Sequence, residues 1–368
     1  MVKHDKYWEH PKEHSIAKMK IVAKYFKAWA GVMKGRSGNR PITYLDLFSG
    51  RGRYDDGTAA TPVKILSVAQ ELTELHSRIR IYFFDKRQDC YQSLLNSVES
   101  HPVTKALHHR PIVQKKEIRP ESVSDLPIDE CTFSFIDPYG YKDLSIGMLH
   151  SVLETWGSDC VFYLSVQGIR RNLNDDRQRG HFVSLLGEDG MSQLQGSVSK
   201  CRDSKDFCGI LLKLLAKSVG TRHNAYMLPF VMEFEANRAV SHCLVFLTKH
   251  HRGFSIMKDI MAPFSHVDKN GFPTFVYTKE PQIELFCGAL EDTANRMCED
   301  FRQQTLLVEN LVDQCHRKRY RYPTSNLKQA VLWLEEMGKV IVDIPASDRP
   351  KRGGAITLGD RREVKFSC

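Results

Sequence analysis

The run TYLDLFSGRGRYDDGT, Thr43 to Thr58, decides how this chain is read. It opens with Thr43, Tyr44 and Leu45, residues suited to a strand, and then brings an acid, two glycines and a turn within a few positions. A strand stops this abruptly where the backbone has to come close to a ligand. The pattern from Asp46 to Gly52 is Asp-x-Phe-x-Gly-x-Gly. It is not the Gly-x-Gly-x-x-Gly of dinucleotide sites, and it lacks the Gly-Lys-Ser/Thr ending of a P-loop.

Outward from that turn, strands and helices alternate. A strand at 42–47 precedes a helix near 60–75, and RIRIYFFD is a second strand ending at Asp85 before a helix near 87–100. A weaker strand is expected near 107–113, then CTFSFIDPYG, a strand ending at Asp137. A helix near 143–155 leads to the strand CVFYLSV, and another helix covers 205–220. This order predicts an α/β, Rossmann-like, doubly wound and mostly parallel sheet, in which ligands bind beyond the carboxyl ends of the strands. Asp46, Asp85 and Asp137 each stand at such an end. Two apolar runs, AYMLPFVMEFEA and AVSHCLVFLTKH, then predict an antiparallel hairpin turning at Asn237-Arg238. Upstream, Ile16, Met19, Val22, Phe26, Trp29 and Met33 recur at helical spacing over 16–33, with Ser15 as cap. Lys18, Lys20, Lys24 and Lys27 fall largely off that stripe, as a solvated surface or a nucleic-acid contact.

After about residue 295 the texture changes. A helix at 302–316, a second from Thr324 or Ser325 to Gly338, the strand VIVDIP, the loop SDRPKRGGA and a last strand REVKFS predict a small winged helix. The expected division is therefore 1–295 and 296–368. From Arg302 onward there are 13 Lys/Arg against 8 Asp/Glu, a large part of the net charge of +9. The charge clusters in HRKRYRY, with Arg317, Lys318, Arg319 and Arg321, and at the expected wing tip, with Lys351 and Arg352. Tyr320 and Tyr322 interleave with the arginines, which suits stacking on unpaired bases as well as phosphate contact. The other reading is a module that docks a protein, its basic turn merely solvated. Arg170 and Arg171 are further phosphate-contact candidates just beyond the CVFYLSV strand.

Composition sets the outer limits. With 368 residues and 42% apolar content the chain can bury a sizeable core. No apolar run reaches membrane-spanning length, and the polar N-terminus lacks the apolar stretch of a secretory signal. The ten cysteines contain no Cys-x-x-Cys pair, which predicts buried free thiols in a cytoplasmic setting rather than disulfides or zinc. The adjacent pairs His108-His109 and His250-His251 do not have helical ligand spacing, so no metal is expected.

Asp46-Leu47-Phe48-Ser49-Gly50-Arg51-Gly52 resembles motif I of class I S-adenosylmethionine-dependent methyltransferases, whose sheet also finishes in an antiparallel hairpin. That resemblance implies a cofactor site formed by Asp46, Phe48, Ser49, Gly50 and Gly52. The glycines would let backbone amides approach the methionine part, and Asp85 would bind the ribose hydroxyls. Over roughly residues 8 to 366 the chain is also similar to the three-Cys-motif partner family, through HSIAKMKIVAKYFKAW, YLDLFSGRGRYDDGTAATP, FSFIDPYGYKDL, SHCLVFLTKHHRGFSIMKDIM and LEEMGKV. Membership would imply a partner protein with a three-cysteine, radical-enzyme-like motif. One departure stands out: the family has Lys-His in the first helix, and here Lys18 is followed by Met19.

Asp137, Pro138 and Tyr139 stand where amino-methyltransferases carry Asp/Asn-Pro-Pro-aromatic, so these are the candidate catalytic residues. In that chemistry the carboxylate or amide and a backbone carbonyl accept hydrogen bonds from an exocyclic amine, and an aromatic ring stacks on the base. Here Tyr139 takes the second proline position and Gly140 the aromatic one, with Tyr141 as an alternative ring. Asp137 as a structural cap of the turn, or a different acceptor, are the competing readings. Two functions follow: a methyltransferase acting on DNA or RNA, or a non-catalytic module of the same fold that binds nucleic acid or a partner enzyme.

Overall fold

The computed structural model describes residues 8–119, 126–234, 238–277, 283–284, 288–352 and 355–368. They form two compact units, Met1–Gly253 and Phe254–Cys368. The boundary expected near 295 lies inside the second unit.

In the first unit, helix α1 (Glu13–Arg36) precedes strand β1 (Ile42–Asp46), and α2 (Thr61–Glu71) leads to β2 (Ile79–Asp85). Next come α3 (Gln88–Glu99), the short α4 (Val103–Ala106), β3 (Ile112–Lys115), β4 (Cys131–Ile136), α5 (Ile146–Leu153) and β5 (Asp159–Leu164). Helices α6 (Val166–Asn172), α7 (Arg179–Val198) and α8 (Ser204–Gly220) follow, then β6 (Tyr226–Glu233) and β7 (Val240–Thr248). The strands lie in the order β6-β7-β5-β4-β1-β2-β3. All neighbours from β5 to β3 run parallel, while β7 is antiparallel to both β5 and β6. Asn237, the first residue of the expected hairpin turn, is outside the described residues.

The chain winds outward from β1 through β2 to β3 and then crosses back to place β4 on the other side of β1. The carboxyl ends of β1 and β4 therefore flank the point where the winding reverses, the place where such sheets leave a crevice. Strands β1, β4 and β5 are buried at every position, as expected where helices cover both faces. Caps set where helices begin: Ser145 accepts the Met148 amide at 3.1 Å for α5, and Asp203 accepts the amides of Lys205 and Asp206 at 2.7 and 2.9 Å for α8. Helix α7 is broken at Gly187, where φ is 74°. Helices α6 and α7 were not foreseen; the stretch after β5 reads as basic loops because its charged residues mask the helical period.

Helix α1 buries a broader face than its apolar stripe implies. Tyr25, Phe26 and Trp29 join Tyr44 of β1 and Phe133 of β4 in one aromatic cluster, with Tyr25–Phe133 and Phe26–Tyr44 centroids each 5.2 Å apart. The Trp29 indole N–H donates to the Gly157 carbonyl at 2.9 Å, and the Tyr25 hydroxyl donates to Asp159 at 2.7 Å. Burial pushes the Asp159 carboxyl up to about 6, with hydrogen bonds from Thr248 and Tyr25 opposing the shift. Lys18 corrects the sequence expectation: it is not solvated but 5% exposed.

In the second unit, the chain runs through α9 (His251–Met261), whose first turn spans the boundary, then β8 (Ser265–Asp268), β9 (Pro273–Tyr277), the two-residue β10 (Ile283–Glu284) and α10 (Ala289–Asp300). Strand β11 (Thr305–Leu307) and helix α11 (Val308–Arg317) occupy the stretch expected to be one helix at 302–316. They are followed by α12 (Thr324–Glu336), β12 (Val340–Val342), β13 (Lys351–Arg352), β14 (Ala355–Ile356) and β15 (Glu363–Phe366). Strand β15 pairs antiparallel with β11 and β12, and β13 pairs with β14. Helices α10, α11 and α12 close over this sheet around Leu311, Leu327, Val331 and Val364, all fully buried. The return of β15 brings Cys368 to α10, where it forms a disulfide with Cys298. That corrects the expectation of free thiols for this pair. Cys90, Cys131, Cys160, Cys201, Cys208, Cys243 and Cys315 are free, and Cys287 is outside the described residues.

Removing the Tyr25 hydroxyl tests the seat of α1. Tyr25→Phe leaves a buried carboxyl without one of its donors and should cost about 1–3 kcal/mol in denaturant unfolding. A variant as stable as the parent would mean that the aromatic packing alone holds α1.

Candidate functional site

The site is built by register. Asp46 on β1 is paired with Phe83 on β2 and with Phe135 on β4. Asp85 and Asp137 therefore each lie two residues further along, on the same side of the pleat as those partners. The three acids meet at one end of the sheet, around the reversal between β1 and β4.

Asp46 is fully buried. Its carboxylate accepts the Phe48 amide at 3.2 Å and the Tyr44 hydroxyl at 3.4 Å. Burial pushes its carboxyl up to about 8, and the nearby charges of Asp137 and Asp85 add to the shift, so at neutral pH it holds its proton. Ser49 locks the turn between β1 and β2: its amide donates to the Phe84 carbonyl at 2.9 Å, its hydroxyl to the Asp46 carbonyl at 3.1 Å. Asp85 accepts the Gly50 amide at 2.9 Å on one oxygen and the Arg87 amide at 2.8 Å on the other. Its half-buried carboxylate thus anchors the glycine turn from the neighbouring strand.

Gly50 and Gly52 both have positive φ, 70° and 80°. A Cβ on Gly50 would meet the Trp8 ring at 2.4 Å, and one on Gly52 would meet Leu94 at 2.9 Å. The structure thus gives these glycines a reason that the sequence reading missed. They are needed where the chain's own side chains crowd the turn, not only where a cofactor would approach. Trp8 packs on Tyr54 with centroids 5.5 Å apart, and Arg51 lies over its ring at 5.6 Å. Phe48 is half-buried against the core.

Asp137 follows β4 and is ion-paired with Lys18 of α1. Among the described residues, Lys18 is the one side chain hydrogen-bonded to it. The Lys18 ammonium also sits 4.3 Å from the centre of the Tyr163 ring, and Tyr163 lies parallel to His242 of β7 at 4.7 Å. Burial, then the charges of Lys18 and His14, lower His242 to about 4, so it is neutral at physiological pH. Sequence reasoning missed Lys18, Tyr163 and His242, because they come from α1, β5 and β7 and meet only when the sheet closes. Just beyond Asp137 the chain turns at Gly140, with φ of 114°, and presents Tyr139 at 96% exposure. Tyr141 is no alternative, since it is buried against Phe182.

Of the basic residues singled out, Arg170 and Arg171 are exposed at the end of α6. In the second unit, Arg317, Lys318, Arg319, Arg321 and Lys351 are exposed. Arg317 is paired with Asp313 at 2.6 Å and Lys318 with Asp300 at 3.3 Å, while Arg321 donates to the Thr274 carbonyl. The side chain of Arg352 and residues 353–354 are outside the described residues. Tyr320 is 2% exposed with its hydroxyl on Asp300 at 3.0 Å, so it cannot stack on a base. No group of His, Cys, Asp and Glu among the described residues has the arrangement of a metal site. No described helix is long and apolar enough to cross a membrane.

No protein-family model matches this sequence, and no curated protein does. Among solved structures, the chain is similar to a protein of Legionella pneumophila at 12% identity, over 63% of this chain and 85% of that one, with a TM-score of 0.36. It is similar at 11% identity to the methyltransferase domain of bacterial CtHen1-C, over 63% and 98%, with a TM-score of 0.33. A methyltransferase subunit of a type I restriction-modification system from Streptococcus thermophilus matches at 11%, over 67% and 46%, with a TM-score of 0.34. Likenesses this loose do not bear on what the site does, which rests on its own residues.

The Asp46 shift has a measurable sign. Between about pH 4 and pH 8 the unfolded chain has lost this proton and the folded chain keeps it, so stability contributed by Asp46 falls as pH rises. Asp46→Asn keeps an acceptor for the Phe48 amide and has no proton to lose. Its Tm should decline less than the parent's across that window and exceed the parent's at pH 9. Parallel Tm profiles would mean that Asp46 is already ionised in the folded protein.

Proposed function

We propose that the chain is an S-adenosylmethionine-dependent methyltransferase acting on nucleic acid, with its cofactor held by the ends of β1 and β2. The observation that carries this is the convergence of Asp46, Asp85 and Asp137 at neighbouring strand ends with Asp46 fully buried, since a cation relieves the crowding of acids at a dry position. The cofactor brings two, an ammonium and a sulfonium, together with ribose hydroxyls. The residues present fit it. Asp85 has lone pairs beyond those used by the Gly50 and Arg87 amides, and would accept the ribose hydroxyls. Asp46 would face the cationic part, and Ser49, Gly50 and Gly52 would shape the turn beneath it. When bound, the group supplies a methyl made electrophilic by its sulfonium. The sheet order and the antiparallel β6–β7 pair agree with the class I methyltransferase fold.

The second unit supports a nucleic-acid role through its arrangement, three helices and a three-stranded sheet with β13 and β14 in one connection, which we read as a winged helix. Exposed Arg317, Arg319 and Lys351 would contact phosphates, with Arg170 and Arg171 doing so beside the first unit's site. The resemblance read in the sequence to the three-Cys-motif partner family would imply a partner bearing that motif. The alternative is a non-catalytic module of the same fold that binds nucleic acid or a partner enzyme. It is favoured by the departure of Asp137-Pro138-Tyr139-Gly140 from the amine-transferring pattern.

Calorimetry with S-adenosylmethionine separates the readings. Micromolar binding is expected, with net proton release at pH 7 because the cofactor's charge draws Asp46 into its ionised form. Asp85→Asn should weaken binding by ~1–3 kcal/mol. No heat of binding from well-folded protein leaves the non-catalytic module. For the second unit, the triple variant Arg317→Ala, Arg319→Ala, Lys351→Ala should bind single-stranded RNA and DNA more weakly. The slope of affinity against salt should fall by up to about one unit per lost phosphate contact. An unchanged slope would point to a surface that docks protein.

A further inference from the structure

We infer that the acceptor at this site is a hydroxyl rather than an exocyclic amine, with Lys18 and Asp137 as its catalytic pair; the inference rests on the methyltransferase reading. The observation is the ion pair itself. Lys18 is 5% exposed, bound to Asp137, and flanked by the Tyr163 ring at 4.3 Å. Its charge is therefore held beside Asp137, at the carboxyl end of β4.

The sign of that charge discriminates between acceptors. In transfer to a neutral amine, positive charge moves from sulfur onto nitrogen, and an ammonium alongside opposes it. In transfer to a hydroxyl whose proton is leaving, the oxygen gains negative character, and the same ammonium stabilises it. The pair suits a hydroxyl. Lys18 donates to the acceptor oxygen, and the second oxygen of Asp137 accepts its proton. The oxygen lone pair forms the bond to the methyl carbon, the carbon–sulfur bond breaks with its electrons left on sulfur, and the hydroxyl proton ends on the Asp137 carboxylate. His242, kept neutral across the Tyr163 ring, adds no second positive charge.

The surroundings narrow the class further. Tyr139, at 96% exposure, offers a ring face two residues beyond Asp137, and exposed Arg170 and Arg171 follow β5, the strand beside β4. A polyanion with flat bases and free hydroxyls is RNA, in which the ribose 2′-hydroxyl is the abundant acceptor; DNA lacks it.

Two readouts test this on the full chain. The first is binding: the affinity for S-adenosylhomocysteine, with a neutral sulfur, is compared with that for S-adenosylmethionine. Lys18→Met removes an ammonium that repels the sulfonium, so the ratio should move toward the methylated form by about tenfold or more. An unmoved ratio means that Lys18 does not face the transferring methyl and overturns the inference. The second is product identity, using an unmodified transcribed RNA, single-stranded DNA of the same sequence and methyl-tritiated cofactor. Label should enter the RNA alone and survive alkali in dinucleotides, as a 2′-O-methyl group does. Lys18→Met and Asp137→Asn should each lower transfer by ~100-fold or more. Label on a base nitrogen, equal transfer to DNA, full activity of Lys18→Met, or no transfer by protein that binds cofactor would each overturn it. Failure to bind either form of the cofactor would instead remove the methyltransferase reading, and this inference with it.

Discussion

A lysine buried in α1 and an aspartate at the end of β4 hold each other's charge, and much of the first unit is arranged around that pair. An ammonium taken out of water is costly unless it is matched, and docking α1 brings Lys18 to Asp137. Once docked, α1 lays Tyr25, Phe26 and Trp29 against β1 and β4, and the sheet gains a cover over its central strands. The same bond fixes Asp137 just before the turn at Gly140, which leaves Tyr139 outside the core.

Around it the site works by electrostatic frustration. Three acids converge because parallel pairing puts the ends of β1, β2 and β4 side by side, and one of them, Asp46, lies in a fully dry position. The chain relieves part of the repulsion itself: Lys18 answers Asp137, backbone amides answer Asp85, and Asp46 keeps its proton. What remains is a cluster of acids at the strand ends whose mutual repulsion a cation would relieve. Preorganisation of this sort is set by the scaffold, since the groups that impose it sit on strands and on a packed helix rather than on loops.

The second unit is stabilised differently. Its core is a layer of three helices on a small sheet, and it also buries Lys258, whose ammonium donates to the Tyr320 carbonyl at 2.8 Å and contacts His316 at 2.7 Å. Burial lowers Lys258 to about 7. The basic run at 316–322 is thus divided by the fold. Tyr320 and His316 turn inward and serve packing, while Arg317 and Arg319 turn outward.

The order of strands and helices, the acids at strand ends and the glycine turn were legible in the sequence because each is a local signal: a period of two or of 3.6, a turn residue, a charge where a strand stops. The helical stripe of α1 was legible for the same reason. Other features were decided only by the tertiary structure. Lys18 stands four residues from Val22 at the edge of the apolar stripe, yet nothing along the chain shows which carboxylate it meets until the sheet brings Asp137 to it. Asp46 reads as a strand-end acid in the sequence, but its dryness and its neighbours Asp85 and Asp137 come only from packing and register. Gly50 and Gly52 looked reserved for a ligand, but Trp8 and Leu94 crowd them as well. Cys298 and Cys368 have no signal at all until β15 returns to α10. Spacing along the chain reports which element a residue belongs to. The partners that set its charge, its burial and its chemistry come from elements distant in sequence, and only packing brings them together.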